Sequence, residues 1–185
     1  MKIYLTKAEM ERCESHAEAI VAHYDEKWAK SGNRNNYNHN KVDSNRIGVR
    51  CEVATERWIS TFLKPQDYQS NFWDFKSSLG TGDIDVKDNN LEIKGLQFHQ
   101  WDKFKRMIPP RQLAKYCKHN AIVVWGTASK IITDNEVQLK GWNWATEVRD
   151  NGVEVRTICD NIWLENDQDM RPMSELKEIL KSSCR

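Results

Sequence analysis

The chain has 185 residues, 39% hydrophobic and 30% charged, with a formal net charge of +1. That length suits one domain with a full core, and no run approaches the eighteen apolar residues of a membrane span. The near-neutral balance lacks the strongly basic signature of many nucleic-acid binders, so any such function must rest on local charge.

The N-terminus lacks the apolar core and cleavage site of a signal peptide. Cys13, Cys51, Cys117, Cys159 and Cys184 form no C-x-x-C pair. This argues against a zinc site or a disulfide framework and fits reduced thiols in a cytoplasmic protein.

Residues 6–30 read as an amphipathic helix, with Thr6 as cap and Glu9 at capping-box spacing. Residues 31–45 are polar and rich in asparagine, which predicts a loop. A second helix follows from Arg46, with Val49, Val53, Ala54, Trp58, Ile59 and Phe62 as its apolar stripe. Phe72-Trp73-Asp74-Phe75 reads as a first strand.

Asp83-Ile84-Asp85-Val86 and Glu92-Ile93-Lys94 alternate polar and apolar residues, the period of a half-buried strand. Between them Asp88-Asn89-Asn90 is turn chemistry. A two-residue turn at Asp88-Asn89 or Asn89-Asn90 makes opposed residues sum to an odd number. Asp83 and Asp85 then share a face with Glu92 and Lys94, and Ile84, Val86, Leu91 and Ile93 share the other. A three-residue loop would place the two sets of polar groups on opposite faces. Gathered carboxylates bind hard divalent cations through oxygen, and an adjacent ammonium can orient water or stabilise phosphate charge. The bland alternative is a solvated face carrying one weak ion pair.

From Lys103 to Lys118 the chain carries Lys103, Lys105, Arg106, Arg111, Lys115 and Lys118 and no acid. Phe98, Trp101 and Phe104 interleave with its start. The segment could hold phosphates and stack bases, or be a solvated basic face over core aromatics. Pro109-Pro110 opens a helix to about residue 118, placing Gln112 and Tyr116 on one face. Ala121–Trp125 reads as a strand buried on both faces, Val137–Trp142 as its alternating partner, and Ser174–Lys181 as a last helix. No glycine-rich phosphate loop is present, and His16, His23, His99 and His119 lack an acid cluster or nucleophile at useful spacing.

Asp83 followed by Glu92-Ile93-Lys94 resembles the metal-binding core of the PD-(D/E)XK nuclease superfamily, with Gly82 where proline is usual. The resemblance spans roughly residues 46–180, although its specific motifs are far shorter. It implies an α/β, restriction-endonuclease-like core of order αβββαβ, a mixed sheet flanked by helices, preceded here by an extra N-terminal helix in a single domain. It further implies Mg²⁺ or Mn²⁺ held by Asp83 and Glu92, with Asp85 competing for the first position. Lys94 would act on the attacking water. The family's first helix often supplies a glutamate; Glu52 fits, and Glu56 lies one turn later. Gln112-x-x-x-Tyr116 is similar to a motif of the RecB-like branch. Lys140-Gly141-Trp142 and Met170–Leu176 look like the closing segments of small nuclease-like proteins of phages and prokaryotes. The expected activity is cleavage of DNA, endonucleolytic before exonucleolytic. Lys103, Lys105, Arg106, Arg111, Gln112, Lys115 and Tyr116 would contact the DNA, and a homodimer would serve double-strand cuts. The rival expectations are a non-cleaving DNA-binding or inhibitory module on the same fold and a structural partner of a larger complex.

Overall fold

In the computed structural model, which describes residues 1–31, 41–74, 82–104, 106–156, 160–164 and 169–184, the apolar alternation of the hairpin seats one edge of a central sheet. The elements in chain order are β1 (Lys2–Tyr4), α1 (Lys7–Ser31), α2 (Lys41–Ser60), β2 (Gln69–Ser70), β3 (Ile84–Val86), β4 (Asn89–Gln97), α3 (Trp101–Phe104), β5 (Arg106–Ile108), α4 (Pro110–Lys118), β6 (Ile122–Ala128), β7 (Glu136–Trp144), α5 (Ala145–Asn151), β8 (Val153–Arg156), β9 (Asp160–Leu164) and α6 (Met173–Ser183). The main sheet runs β1-β7-β6-β4-β3-β2, and a second sheet runs β5-β9-β8. Only β4 and β6 pair in parallel in the main sheet; its other pairings are antiparallel. The chain is therefore a mixed α/β protein with helices on its sheet.

All seven residues of β6 are buried, as a strand covered on both faces must be. Its side chains alternate between two cores. Ile122 and Val124 join Ile84, Val86, Leu91 and Ile93 beneath α2 and α6. Val123 and Trp125 join Leu113 and Tyr116 of α4, Ala145 and Val148 of α5, and Leu164 of β9. A bulge at Lys140 shifts the β6–β7 register between Trp125 and Gly126. That shift keeps Trp142 on the same face as Val137 and Leu139. The closing segments meet there: Trp142 and Arg171 exchange backbone hydrogen bonds of 3.0 and 2.9 Å, and the Trp142 indole donates to Pro172 O at 3.1 Å.

The capping box at Thr6 forms as expected, with the Thr6 N–H donating to Glu9 Oε2 at 2.6 Å and Glu9 N donating to Thr6 Oγ1 at 3.3 Å. The expected polar loop is shorter than 31–45, because α2 already begins at Lys41. Its first turn is held by an Asp43–Arg46 pair whose arginine also binds Glu14 of α1. Asn33, Asn35, Asn36, Asn38 and Asn40 lie outside the described residues.

Of the strand expected at 72–75, the described residues 72–74 lie in a turn, and Phe75 lies outside the described residues. Asp74 N donates to Asn71 O at 2.9 Å, Asn71 N and Phe72 N both donate to Asp83 O, and the pairing falls two residues earlier, on Gln69–Ser70. β1 and the β5-β9-β8 sheet carry no signal in the sequence and lie outside the expected elements. Among the described residues, no helix is long and apolar enough to cross a membrane.

Candidate active site

The hairpin closes through Lys87-Asp88, between the paired residues Val86 and Asn89. Lys87 takes the left-handed conformation at φ 53°. The turn thus comes earlier than the asparagines suggest. Asn89 instead opens β4, its amide donating to Val86 O at 3.3 Å and to Ser183 Oγ at 2.9 Å. The odd-sum register survives: Ile84 faces Leu91 and Asp85 faces Asn90. One step past the last pair, Asp83 therefore stands beside Glu92, with Lys94 on the same face of β4.

β3 and β4 part at this point. Asp83 Oδ2 accepts the Ile93 N–H at 2.7 Å, taking the place of a backbone ladder partner. Asp83 O accepts Asn71 N and Phe72 N at 2.8 and 3.1 Å, which turns the chain away to β2. Gly82 is required here: a Cβ would lie 2.6 Å from Leu91 O and 2.9 Å from Leu91 N. The proline usual in the resembled family has no room.

Glu52 arrives from α2. That helix crosses the parallel pair at Gly95 and Gly126, which face each other in the register. A Cβ at either glycine would meet Cys51 Sγ, at 3.0 Å from Gly95 and 2.9 Å from Gly126. The glycine notch lets the fully buried Cys51 sit against the sheet, and Glu52 follows directly in the helix. Gly95 closes the hairpin segment, but a glycine pair joined across strands leaves no sequence signal.

The carboxyls report one another's charge. Burial pushes Asp83 up, against the pull of the Lys94 ammonium and the Ile93 N–H. Burial, then the charge of Asp83, pushes Glu92 up to about 7, while Lys94, the Tyr116 hydroxyl and Lys115 pull the other way. Glu52 lies well above the usual carboxylate range, through burial first and Asp83 next, with Glu92 adding and Lys94 opposing.

Tyr116 of α4 lies beside Glu92, and its phenol is pushed up by burial first and then by the Glu92 and Asp83 charges. Gln112 Oε1 stands 3.5 Å from the same hydroxyl, one turn back. Lys94 Nζ lies 5.0 Å from the centre of the Tyr116 ring.

Asp83, Glu92, Lys94, Glu52 and Tyr116 are thus brought together, with Lys115 near enough to act on both strand carboxyls. Asp85 is not: its Oδ2 accepts Asn71 Nδ2 at 2.7 Å and its Oδ1 accepts Gly82 N at 3.2 Å, so it ties down the approach to the hairpin. Glu56 is not either, because it accepts the Ser70 hydroxyl at 2.6 Å.

Arg106, expected to contact DNA, is fully buried in β5 and donates to Leu164 O at 3.3 Å. Tyr116, expected at the same surface, is buried at 6% exposure and faces inward to Glu92. Arg111, Gln112, Lys115 and Lys118 are exposed on α4. Trp101 belongs to the core. Lys105 lies outside the described residues, and nothing is assigned to the side chain of Lys103.

The donor chemistry fits a hard divalent cation: three carboxyls raised by burial first and by one another's charge offer hard oxygen ligands whose ionised form a cation would stabilise. Among the described residues, no group of three or more His, Cys, Asp or Glu stands ready to hold a metal ion. No family model, curated protein or solved structure matches the chain.

Proposed function

We propose that the chain is a divalent-metal-dependent deoxyribonuclease with a restriction-endonuclease-like core of the PD-(D/E)XK type. The observation that carries this reading is Asp83 beside Glu92 at the parting of β3 and β4, with Lys94 two residues on and Glu52 entering from α2. Asp83 and Glu92 would hold Mg²⁺ or Mn²⁺, with Glu52 joining directly or through water. When bound, the cation supplies Lewis acidity and lowers the pKa of its water.

The chain's own residues do the rest. The Ile93 N–H orients the Asp83 carboxyl. Tyr116 forms one wall of the site, its ring centre 5.0 Å from Lys94 Nζ. Lys94 positions the attacking water and offsets negative charge on the phosphoryl group. The exposed α4 face, Arg111, Gln112, Lys115 and Lys118, lies beside these groups and holds backbone phosphates. Because that face carries no acid, it supplies locally the positive charge that the net balance lacks.

The test is cleavage of linear, circular and single-stranded DNA with Mg²⁺, Mn²⁺ or EDTA, for the wild type, Asp83→Ala and Lys94→Ala. The expected result is metal-dependent cutting that both substitutions abolish, with the DNA affinity of Lys94→Ala retained. Turnover by Lys94→Ala would refute the role of the lysine. DNA binding without cutting on any substrate would leave the non-cleaving module on the same fold.

A further inference from the structure

One helical turn beyond Glu52, a rise of about 5.4–6 Å along α2, a cleft of about 210 Å³ opens between α1, α2 and the segment around β2. It contains Arg12, Glu56, Tyr68 and Trp73, with Glu9 and Arg57 at its side. Its volume is below the roughly 300–1,000 Å³ of sites that enclose drug-sized ligands. One planar ring system fits it better than a peptide or a base pair.

The charged groups in the cleft fall into two sets. Arg57 and Glu9 are committed to the fold. Arg57 Nη1 donates to Glu9 Oε2 at 2.8 Å and to Tyr4 O at 2.9 Å. Glu9 Oε2 also accepts the N–H and the hydroxyl of Thr6 at 2.6 and 2.8 Å.

Arg12 and Glu56 keep capacity. The Arg12 guanidinium is held 3.6 Å from the centre of the Trp73 ring, yet it makes no hydrogen bond or ion pair among the described residues. The indole is itself braced edge-on by His16 at 5.0 Å and by Phe72 at 4.6 Å, so Arg12 rests on a fixed support. Glu56 binds Ser70 Oγ through Oε1 alone, leaving Oε2 unused. Tyr68 lies close enough to feel the Glu56 charge, which with burial raises its phenol.

A carboxylate accepts paired N–H donors through both oxygens, Glu56 Oε2 being unused and Oε1 keeping a second lone pair beside Ser70, and a guanidinium with unused donors takes two adjacent acceptors. Guanine carries both patterns on one ring system: N1–H and N2–H on one edge, O6 and N7 on the other. Adenine and cytosine have no pair of adjacent ring and exocyclic donors for the carboxylate.

We propose that this cleft is a guanine-binding subsite, taking one unpaired base next to the nucleotide at the carboxylates. The choice of a nucleic-acid ligand rests on the nuclease reading; the cleft and its two uncommitted charged groups do not. The subsite would make cleavage depend on an unstacked or single-stranded guanine beside the cut.

The experiment is calorimetric titration in EDTA with guanosine, adenosine, cytidine and uridine 5′-monophosphates. The proteins are the wild type, Arg12→Ala and Glu56→Gln, the last keeping a side-chain oxygen for Ser70. Unchanged thermal melting of each variant establishes that it is folded. We expect the guanosine nucleotide to bind at least about tenfold more tightly than the other three, and each substitution to weaken it by about tenfold or more. Equal affinity for all four, no binding of the guanosine nucleotide, or unaltered binding by the folded variants would overturn the proposal. Because EDTA removes the metal chemistry, selective guanosine binding by a protein that cuts no DNA would sink the nuclease reading alone. Metal-dependent cutting without guanosine binding would sink the subsite alone.

Discussion

Gly126→Ala tests whether the glycine notch is what brings Glu52 to the strand carboxyls. The new Cβ would lie 2.9 Å from Cys51 Sγ and 3.2 Å from Cys51 Cβ, whereas carbon contacts settle at roughly 3.5–4.0 Å. Cys51 is fully buried, so its thiol cannot swing into solvent. The helix must lift by several tenths of an ångström, and Glu52 lifts with it. Overpacking of this kind costs about 1–3 kcal/mol. Replacing a strand glycine returns about 0.5–1 kcal/mol. The midpoints of these two terms leave a net loss of about 1 kcal/mol, or roughly 2–4 °C in Tm for a domain of this size. Cys51→Ala removes the thiol that the new methyl meets, so the double variant should recover about 1 kcal/mol relative to the sum of the singles. Urea unfolding of the four proteins in that cycle measures the coupling. DNA cleavage by Gly126→Ala should fall at a temperature where the protein stays folded. A Gly126→Ala protein as stable and active as the wild type, or strict additivity with Cys51→Ala, would refute the notch as the device that sets α2.

The raised carboxyls give a pH dependence of definite sign. Between the ordinary carboxylate range and about 7, the folded chain keeps a proton on Glu92 that the unfolded chain has released, so this group's contribution to stability falls as pH rises. The Tm difference between Glu92→Gln and wild type should therefore widen in favour of the variant from pH 5 to 7.5 without metal, and a difference that narrows would contradict the burial argument. Added Mg²⁺ should raise the wild-type Tm more at pH 7.5 than at pH 5, since cation and protons compete for the same oxygens; an equal rise at both would place the cation elsewhere. Gly82→Pro should disrupt the hairpin by driving new atoms onto the Leu91 backbone, seen as lost cleavage and faster amide exchange at Ile93. Arg46→Ala leaves Glu14 and Asp43 without their shared partner, and because those carboxylates remain about a fifth exposed the loss should be about 2 kcal/mol in urea unfolding rather than the full amount for a buried ion.

What the sequence made legible is local. The period of two in Asp83–Val86 and Glu92–Lys94 puts the acids and the lysine on one side whichever two residues make the turn, because moving a two-residue turn along the chain changes the sum of opposed residues by an even number. The turn could therefore move to Lys87-Asp88 without disturbing the site. The apolar Ala121–Trp125 run likewise reads correctly as a strand buried on both faces, β6 itself beginning at Ile122. The Gln112…Tyr116 spacing placed both residues on one helix face, but it could not say that Tyr116 points inward to Glu92. Spacing fixes which residues share a face; packing fixes where the face looks.

The rest depends on contacts between distant segments. Arg106 reads as one more cation in a basic run, yet it lies fully buried in β5 opposite Leu164, within a second sheet whose short strands have little alternation to announce them. Glu52 and Glu56 are equivalent on a helical wheel, and what separates them lies outside α2. The pairing of Gly95 with Gly126 seats Cys51 and brings Glu52 to the carboxyls, while Ser70 on the edge strand claims Glu56. Asp83 and Asp85 are separated in the same way, by Asn71 and Gly82, which take Asp85 into the hairpin's support. Each ambiguous acid pair thus divides into one group drawn away by side chains of the edge segment and one facing the shared charge. That division turns a common alternating pattern into a defined set of residues to mutate.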